Sequence, residues 1–161
     1  MDQDILYTTA EGLKRFQQRI DALMQRYRAV VETNEEAAGA GDNSVWHDNF
    51  AYEENQRSMH ALANAIQSAK KDLEKLRVVS PATTTYVTIG ATVRILFNGS
   101  EEMTYTIGGY EDSDPAQNRI SYMTPLGRLF LNKRVGEECE LSIADKTHKY
   151  EIIDIFIESL G

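Results

Sequence analysis

The chain has 161 residues, a formal net charge of −8, 42% hydrophobic and 26% charged content, and a single cysteine, Cys139. That length allows one ordinary domain or two small ones, and the composition is that of a folded chain. An internal disulfide, a multi-cysteine metal centre and a broad basic grip on nucleic acid are excluded.

No apolar run approaches the roughly 18 residues needed to cross a bilayer, so no membrane association is expected. The N-terminal MDQDILYTTAEG lacks the basic and apolar regions of a secretory signal, and a cytoplasmic protein is expected.

Thr8, with Glu11 three residues later, has capping-box spacing and predicts a helix start. Leu13, Phe16, Ile20, Leu23, Tyr27 and Val30 then recur in alternating steps of three and four, the a/d spacing of a coiled coil. Asn34 and Ala37 take the next seam positions, so the apolar seam weakens there. A second run shows the same rhythm through Tyr52, Asn55, Met59, Leu62, Ile66, Ala69, Leu73 and Leu76. Between them lies GAGDNSVWHDN, rich in turn formers such as Gly39, Gly41, Asp42, Asn43 and Ser44. Each run is about 30 residues, or roughly 45 Å of helix. Matched runs joined by a turn predict an antiparallel hairpin.

Charge is uneven along this hairpin. No lysine or arginine occurs between Arg28 and Arg57, a stretch carrying Glu32, Glu35, Glu36, Asp42, Asp48, Glu53 and Glu54. The tip is therefore acidic. The base is mixed, with Lys14, Arg15 and Arg19 on one helix and Lys70, Lys71 and Lys75 on the other.

After Ser80-Pro81-Ala82-Thr83 the period changes to two. Val87, Ile89, Ala91, Val93, Ile95 and Phe97 predict a strand, and Asn98-Gly99 a hairpin turn. Met103, Tyr105 and Ile107 predict a second strand, Glu111–Pro115 an acidic loop, and Ile120 with Tyr122 a third strand. Pro125, Leu126, Leu129 and Phe130 suggest a short helix with proline in its first turn. Closing strands are expected around Cys139–Ile143 and Tyr150–Phe156, separated by Asp145-Lys146-Thr147. The fold class is thus α+β. A helical-hairpin domain is expected over 1–79 with its tip at 39–54, then a linker at 80–85. A compact antiparallel β domain with one short helix follows over 86–161.

The acidic turn carries the main chemical signal. Carboxylates such as Asp42 and Asp48 offer hard oxygen ligands for magnesium, weakly unless a partner completes the coordination. The bland reading is an acidic, solvated hairpin end. Trp46 is placed to cap the seam, and His47 reads as solvated rather than catalytic. Tyr52 sits on a seam position, where packing is its default role. His60 and His148 read as surface residues. Cys139 carries no reactive signature.

These residues together resemble the GreA/GreB transcript-cleavage factors from Thr8 to Ile155. In that family the tip reads Gly-Asp, two residues, then Glu-Asn-x-x-Tyr. Here Gly41-Asp42 is followed, after five residues, by Asp48-Asn49-Phe50-Ala51-Tyr52. Ile89-Gly90-Ala91-Thr92-Val93 is similar to the family's first strand. Ile120-Ser121, Thr124-Pro125-Leu126-Gly127-Arg128 and Gly136 resemble its Ser-Pro-hydrophobic-x-Arg segment, with Met123 where Asp or Asn is usual.

The resemblance implies an FKBP-like C-terminal domain that docks at the rim of the secondary channel of bacterial RNA polymerase. The hairpin would reach the active site, where tip acids help hold a second magnesium ion and the polymerase cleaves backtracked RNA at the nascent 3′ end. Asp42 and Asp48 would handle the metal, with Asn49, Tyr52 and Trp46 supporting the tip. Thr124, Pro125 and Leu126 would lie in the docking segment. Such a factor is not itself an enzyme, binds magnesium only transiently and is expected to be a monomer. The longer turn, with its bulky Trp46, leaves a second expectation: a non-cleaving channel binder that competes with cleavage factors or inhibits the polymerase.

Overall fold

The structure is a computed structural model that describes residues 4–39 and 49–158. Asp42, Trp46, His47 and Asp48 lie outside the described residues. The chain divides into two compact units, one formed by Met1–Arg15 with Lys75–Gly161 and the other by Phe16–Glu74.

The helical unit is built from two long helices, α1 (Ala10–Gly39) and α2 (Asn49–Lys75). Residues rising along α1 meet residues falling along α2, so the pair is antiparallel. Leu23 and Val30 share a groove with Ala61, Leu62 and Ala65. Met24 and Tyr27 share another with Ala63 and Ile66. Phe16 and Ile20 are buried, whereas Leu23, Tyr27, Val30, Leu62 and Ile66 are only half-buried. With just two helices a seam residue has neighbours on one side, so a half-buried seam is what the geometry allows.

The described seam ends on polar contacts. Asn34, 9% exposed, directs its Nδ2 at the Met59 sulfur at 3.5 Å, while its Oδ1 has no hydrogen-bond partner. A buried, unsatisfied carbonyl costs about 1–3 kcal/mol. Asn34→Leu is therefore expected to stabilise the helical unit by about 1–2 kcal/mol, read as a higher denaturant midpoint at unchanged slope. Tyr52, expected to pack in the seam, is instead 46% exposed. Its seam neighbour Asn55 is polar, so no continuous apolar stripe draws the ring inward.

The β unit begins earlier in the chain than periodicity suggests. Strand β1 (Leu6–Thr8) pairs in parallel with β2 (Leu76–Val78), which follows α2 directly. Thr8 is therefore the last residue of a strand, its side chain fully buried, and not the helix cap. Thr9 takes that role, its hydroxyl accepting the Gly12 N–H at 2.9 Å. Close packing explains the neighbouring glycines, because a Cβ on Gly12 or Gly109 would collide with Thr8. The expected linker also belongs to this unit, since Pro81 packs on Gly90, whose φ is +93°. The backbone ladder between β1 and β2 thus shifts the division of the chain away from residue 79.

A five-stranded sheet follows in the order β5-β4-β3-β7-β6. Its strands are β3 (Thr92–Phe97), β4 (Glu101–Gly108), β5 (Arg119–Ser121), β6 (Glu138–Ile143) and β7 (Lys146–Phe156). Helix α3 (Pro125–Phe130) lies between β5 and β6 in the chain. Val93, Ile95, Ile107, Tyr150, Ile152 and Ile155 place one sheet face in a core shared with Val87, Ala91 and Phe130.

The sheet differs from the expected one in three respects. It is mixed, because β5 runs parallel to β4 after a connection long enough to carry the chain back. The first strand starts at Thr92 rather than near Val87, since the positive φ of Gly90 interrupts the extended run. The last turn falls on Ala144-Asp145, both at positive φ, so Lys146 and Thr147 belong to β7. The Asn98-Gly99 turn forms as expected, with φ of 51° and 74°. His148 is also less exposed than expected, with its ring 5.3 Å from that of Phe97.

Candidate functional site

Of the tip residues, Asn49 is the first residue of α2 and Tyr52 lies one turn further on, about half exposed. The segment expected to dock, Thr124–Leu126, lies wholly within the described residues. Thr124 caps α3, its hydroxyl donating to the Ser121 carbonyl at 2.8 Å and accepting the Gly127 N–H at 3.1 Å. Pro125 occupies the first helical turn, where its missing N–H costs nothing. Leu126 packs partly on the core. Met123, at 37% exposed, and Pro125 are the side chains this segment presents outward.

The segment is rigid for a local reason. Gly127 is buried, and a Cβ there would run into the Ser121 carbonyl oxygen. Backbone cannot give way as a flexible side chain would. Gly127→Ala is therefore expected to cost about 1–3 kcal/mol, the scale of overpacking. Thermal unfolding should show the loss.

Near the entry to α1 sits an ion cluster that sequence reading treated as a plain acidic loop. Asp112 is 5% exposed. Its Oδ1 accepts from Arg15 Nε at 2.8 Å and Arg119 Nε at 3.1 Å, and its Oδ2 accepts from Arg15 Nη2 at 2.8 Å. Burial pushes the Asp112 carboxyl up, but the Arg15 hydrogen bond and the charges of Arg119 and Arg15 outweigh it and hold the group below its ordinary range. In return, the hydrogen bond to Asp112 raises the Arg15 guanidinium above its ordinary value. The clamp ties residue 15 to the β4–β5 connection across 97 positions of sequence. It forms one side of an open cleft of about 450 Å³, also lined by Thr9, Ser80, Thr92 and Glu158. Arg15 and Arg119 face Glu11, Asp112 and Glu158 there, so the cleft carries no excess of positive charge.

A second link missed by sequence reading joins Tyr7 to Tyr122, whose phenol oxygen accepts the Tyr7 N–H at 3.1 Å. Neither link leaves a periodic signal. The sequence hint of Asp112's burial is the adjacent pair Gly108-Gly109: a Cβ on Gly108 would run into the Asp112 carbonyl oxygen, and one on Gly109 into Thr8 of β1. Burial raises the pKa of the Cys139 thiol, consistent with an unreactive residue. Among the described residues, no group of three or more His, Cys, Asp or Glu side chains could hold a metal ion. No described helix is long and apolar enough to cross a membrane.

Comparison with known proteins adds a consistent likeness. Residues 82–156 match the family model described as transcription elongation factor, GreA/GreB, C-term. The chain is 32% identical over 153 residues to the transcription elongation factor GreB of Neisseria meningitidis serogroup B, covering 92% of each. It is 29% identical over 157 residues to GreA of Thermosipho melanesiensis, covering 96% of this chain and 99% of that one. Among solved structures, Thermus aquaticus Gfh1 aligns with a TM-score of 0.45 at 17% identity, covering 94% of this chain and 98% of that one.

Proposed function

Because the chain belongs to the GreA/GreB family of transcription elongation factors, we propose that it acts on bacterial RNA polymerase through the secondary channel, as a monomer. In this reading the β unit docks at the channel rim through Thr124, Pro125 and Leu126. The hairpin tip enters the channel and stimulates cleavage of backtracked RNA at the nascent 3′ end. The observation that carries it is the likeness to a GreB over 92% of both chains, hairpin included.

The tip chemistry fits a shared magnesium ion. Asp42 and Asp48 supply hard oxygen donors, two being too few for tight binding in isolation. When bound, such an ion lowers the pKa of a coordinated water and offsets charge on a phosphodiester. Asp42 and Asp48 would hold it, with Asn49 and Tyr52 supporting the turn and Trp46 closing it. The factor thereby lends ligands to the polymerase centre and needs no complete active site of its own.

One observation favours a second reading. Five residues, including Trp46, separate Asp42 from Asp48, and an error near 1 Å in such a site costs about 100-fold. A binder that fills the channel without promoting cleavage would compete with cleavage factors. Incubation with a backtracked elongation complex and magnesium separates the two. Shortening of the RNA from its 3′ end supports the first. Unchanged RNA, with displacement of an active cleavage factor, supports the second. Failure to bind core polymerase overturns both.

A further inference from the structure

Tyr122 stands immediately before Met123 and the docking segment, yet its hydroxyl is engaged elsewhere. It accepts the backbone N–H of Tyr7 at 3.1 Å. The two rings meet edge to face, with centroids 6.3 Å apart at 66°. The Tyr7 carbonyl accepts the Tyr110 N–H at 2.8 Å, and the Thr8 carbonyl accepts the Val79 N–H at 2.8 Å. Tyr122 itself is pinned through its own N–H, which donates to the Gly108 carbonyl at 2.9 Å. Strand β1 is thus held on several sides, and one of its fastenings is a side chain 115 positions away. From Tyr7 the chain passes through Thr8 and Thr9 directly into α1.

The chemistry of a phenol gives this contact a second use. A hydroxyl that accepts one hydrogen bond still has its own O–H to donate. When that O–H donates to a partner's oxygen, the phenol oxygen becomes a better acceptor, because linked hydrogen bonds polarise one another. An acceptor on a docked partner that reaches the Tyr122 hydroxyl would therefore strengthen the bond to the Tyr7 N–H.

We propose that Tyr122 is a positioning residue that couples occupation of the docking segment to the strand leading into α1. Its O–H donates to a carbonyl or carboxylate oxygen of the docked polymerase, and its oxygen tightens on the Tyr7 N–H. The inference rests on the reading of Thr124, Pro125 and Leu126 as the docking segment. Cleavage itself is not required for the coupling to exist.

The test is amide hydrogen exchange by mass spectrometry on the full chain, free and bound to bacterial core polymerase, for wild type and Tyr122→Phe. Phenylalanine keeps the ring contact with Tyr7 and removes only the hydroxyl. Loss of the hydroxyl should weaken polymerase binding by about threefold, the reciprocal of the coupling, and at saturating polymerase residues 123–128 should be protected equally in both proteins. In wild type, binding should slow exchange at Tyr7 by about threefold, the scale of a modest gain in one hydrogen bond. In Tyr122→Phe that extra slowing should vanish. Equal slowing in both proteins, or none in wild type, overturns the coupling. Loss of protection at residues 123–128 in Tyr122→Phe at saturating polymerase also overturns it, by showing that the hydroxyl shapes the docking segment itself. If wild type binds polymerase without protection of residues 123–128, the docking reading fails first, and the coupling with it.

Discussion

Asp42→Ala and Asp48→Ala are each expected to lower RNA cleavage in backtracked complexes by about 100-fold or more, with binding to core polymerase unchanged. The magnitude follows from what a shared metal site needs. A misplacement of about 1 Å already costs about two orders of magnitude, and removing a ligand outright is more severe. Binding is spared because the proposed rim contact, Thr124–Leu126, lies on a different compact unit. Added magnesium should partly restore activity at high concentration, as expected when a weak site loses one of two carboxylates. If both variants cleave at the wild-type rate, the tip acids only make the hairpin end soluble.

The largest expected effect on stability lies at Asp112. Asp112→Asn should destabilise the β unit by about 2–4 kcal/mol. That is below the about 3–5 kcal/mol for breaking a fully buried pair, because Arg15 keeps a third of its side chain in water. The substitution leaves two guanidinium groups facing an amide that offers them one acceptor in place of a charge. Its dependence on pH has a definite sign. The folded carboxyl titrates below its ordinary value. The clamp's stabilisation is therefore complete above the ordinary carboxylate range and is lost as the pH falls through the lower, folded value. Denaturant midpoints of wild type and Asp112→Asn should differ most at neutral pH and converge as the solution is acidified towards that value. Curves that run parallel throughout would show that the charge of Asp112 is not what the fold uses.

The helices were legible because a heptad pattern follows directly from which side chains meet, and Phe16, Ile20 and Val30 obey it. Thr124 and Pro125 were legible for a similar reason, since cap and first-turn chemistry is local. Pairing direction was not. Nothing in Arg119–Ser121 says whether it runs with or against β4. Long-range polar contacts were equally hidden: Asp112 lies in a run of acids and turn formers, and only tertiary structure brings Arg15 to it. Thr8 misled for a related reason. Both Thr8 and Thr9 carry a capping hydroxyl, and the partner strand Leu76–Val78, remote in sequence, decides which is free to cap. The tip acids rest on the tip's likeness to a family pattern, and their geometry lies outside the described residues.

The parallel ladder of Leu6–Thr8 with Leu76–Val78 makes the helical unit an insertion within the β unit, since the chain leaves after Arg15 and returns at Lys75. That topology sets where the protein can be cut and rejoined. Severing the chain at residue 79 would strip β1 and β2 from the β unit and leave the Val79 and Tyr110 N–H groups without their acceptors. Replacing residues 16–74 as a block would leave both strands and the Asp112 clamp in place. The hairpin is thus an exchangeable cassette. Chimaeras joined at Arg15 and Lys75 should fold where chimaeras joined at residue 79 fail.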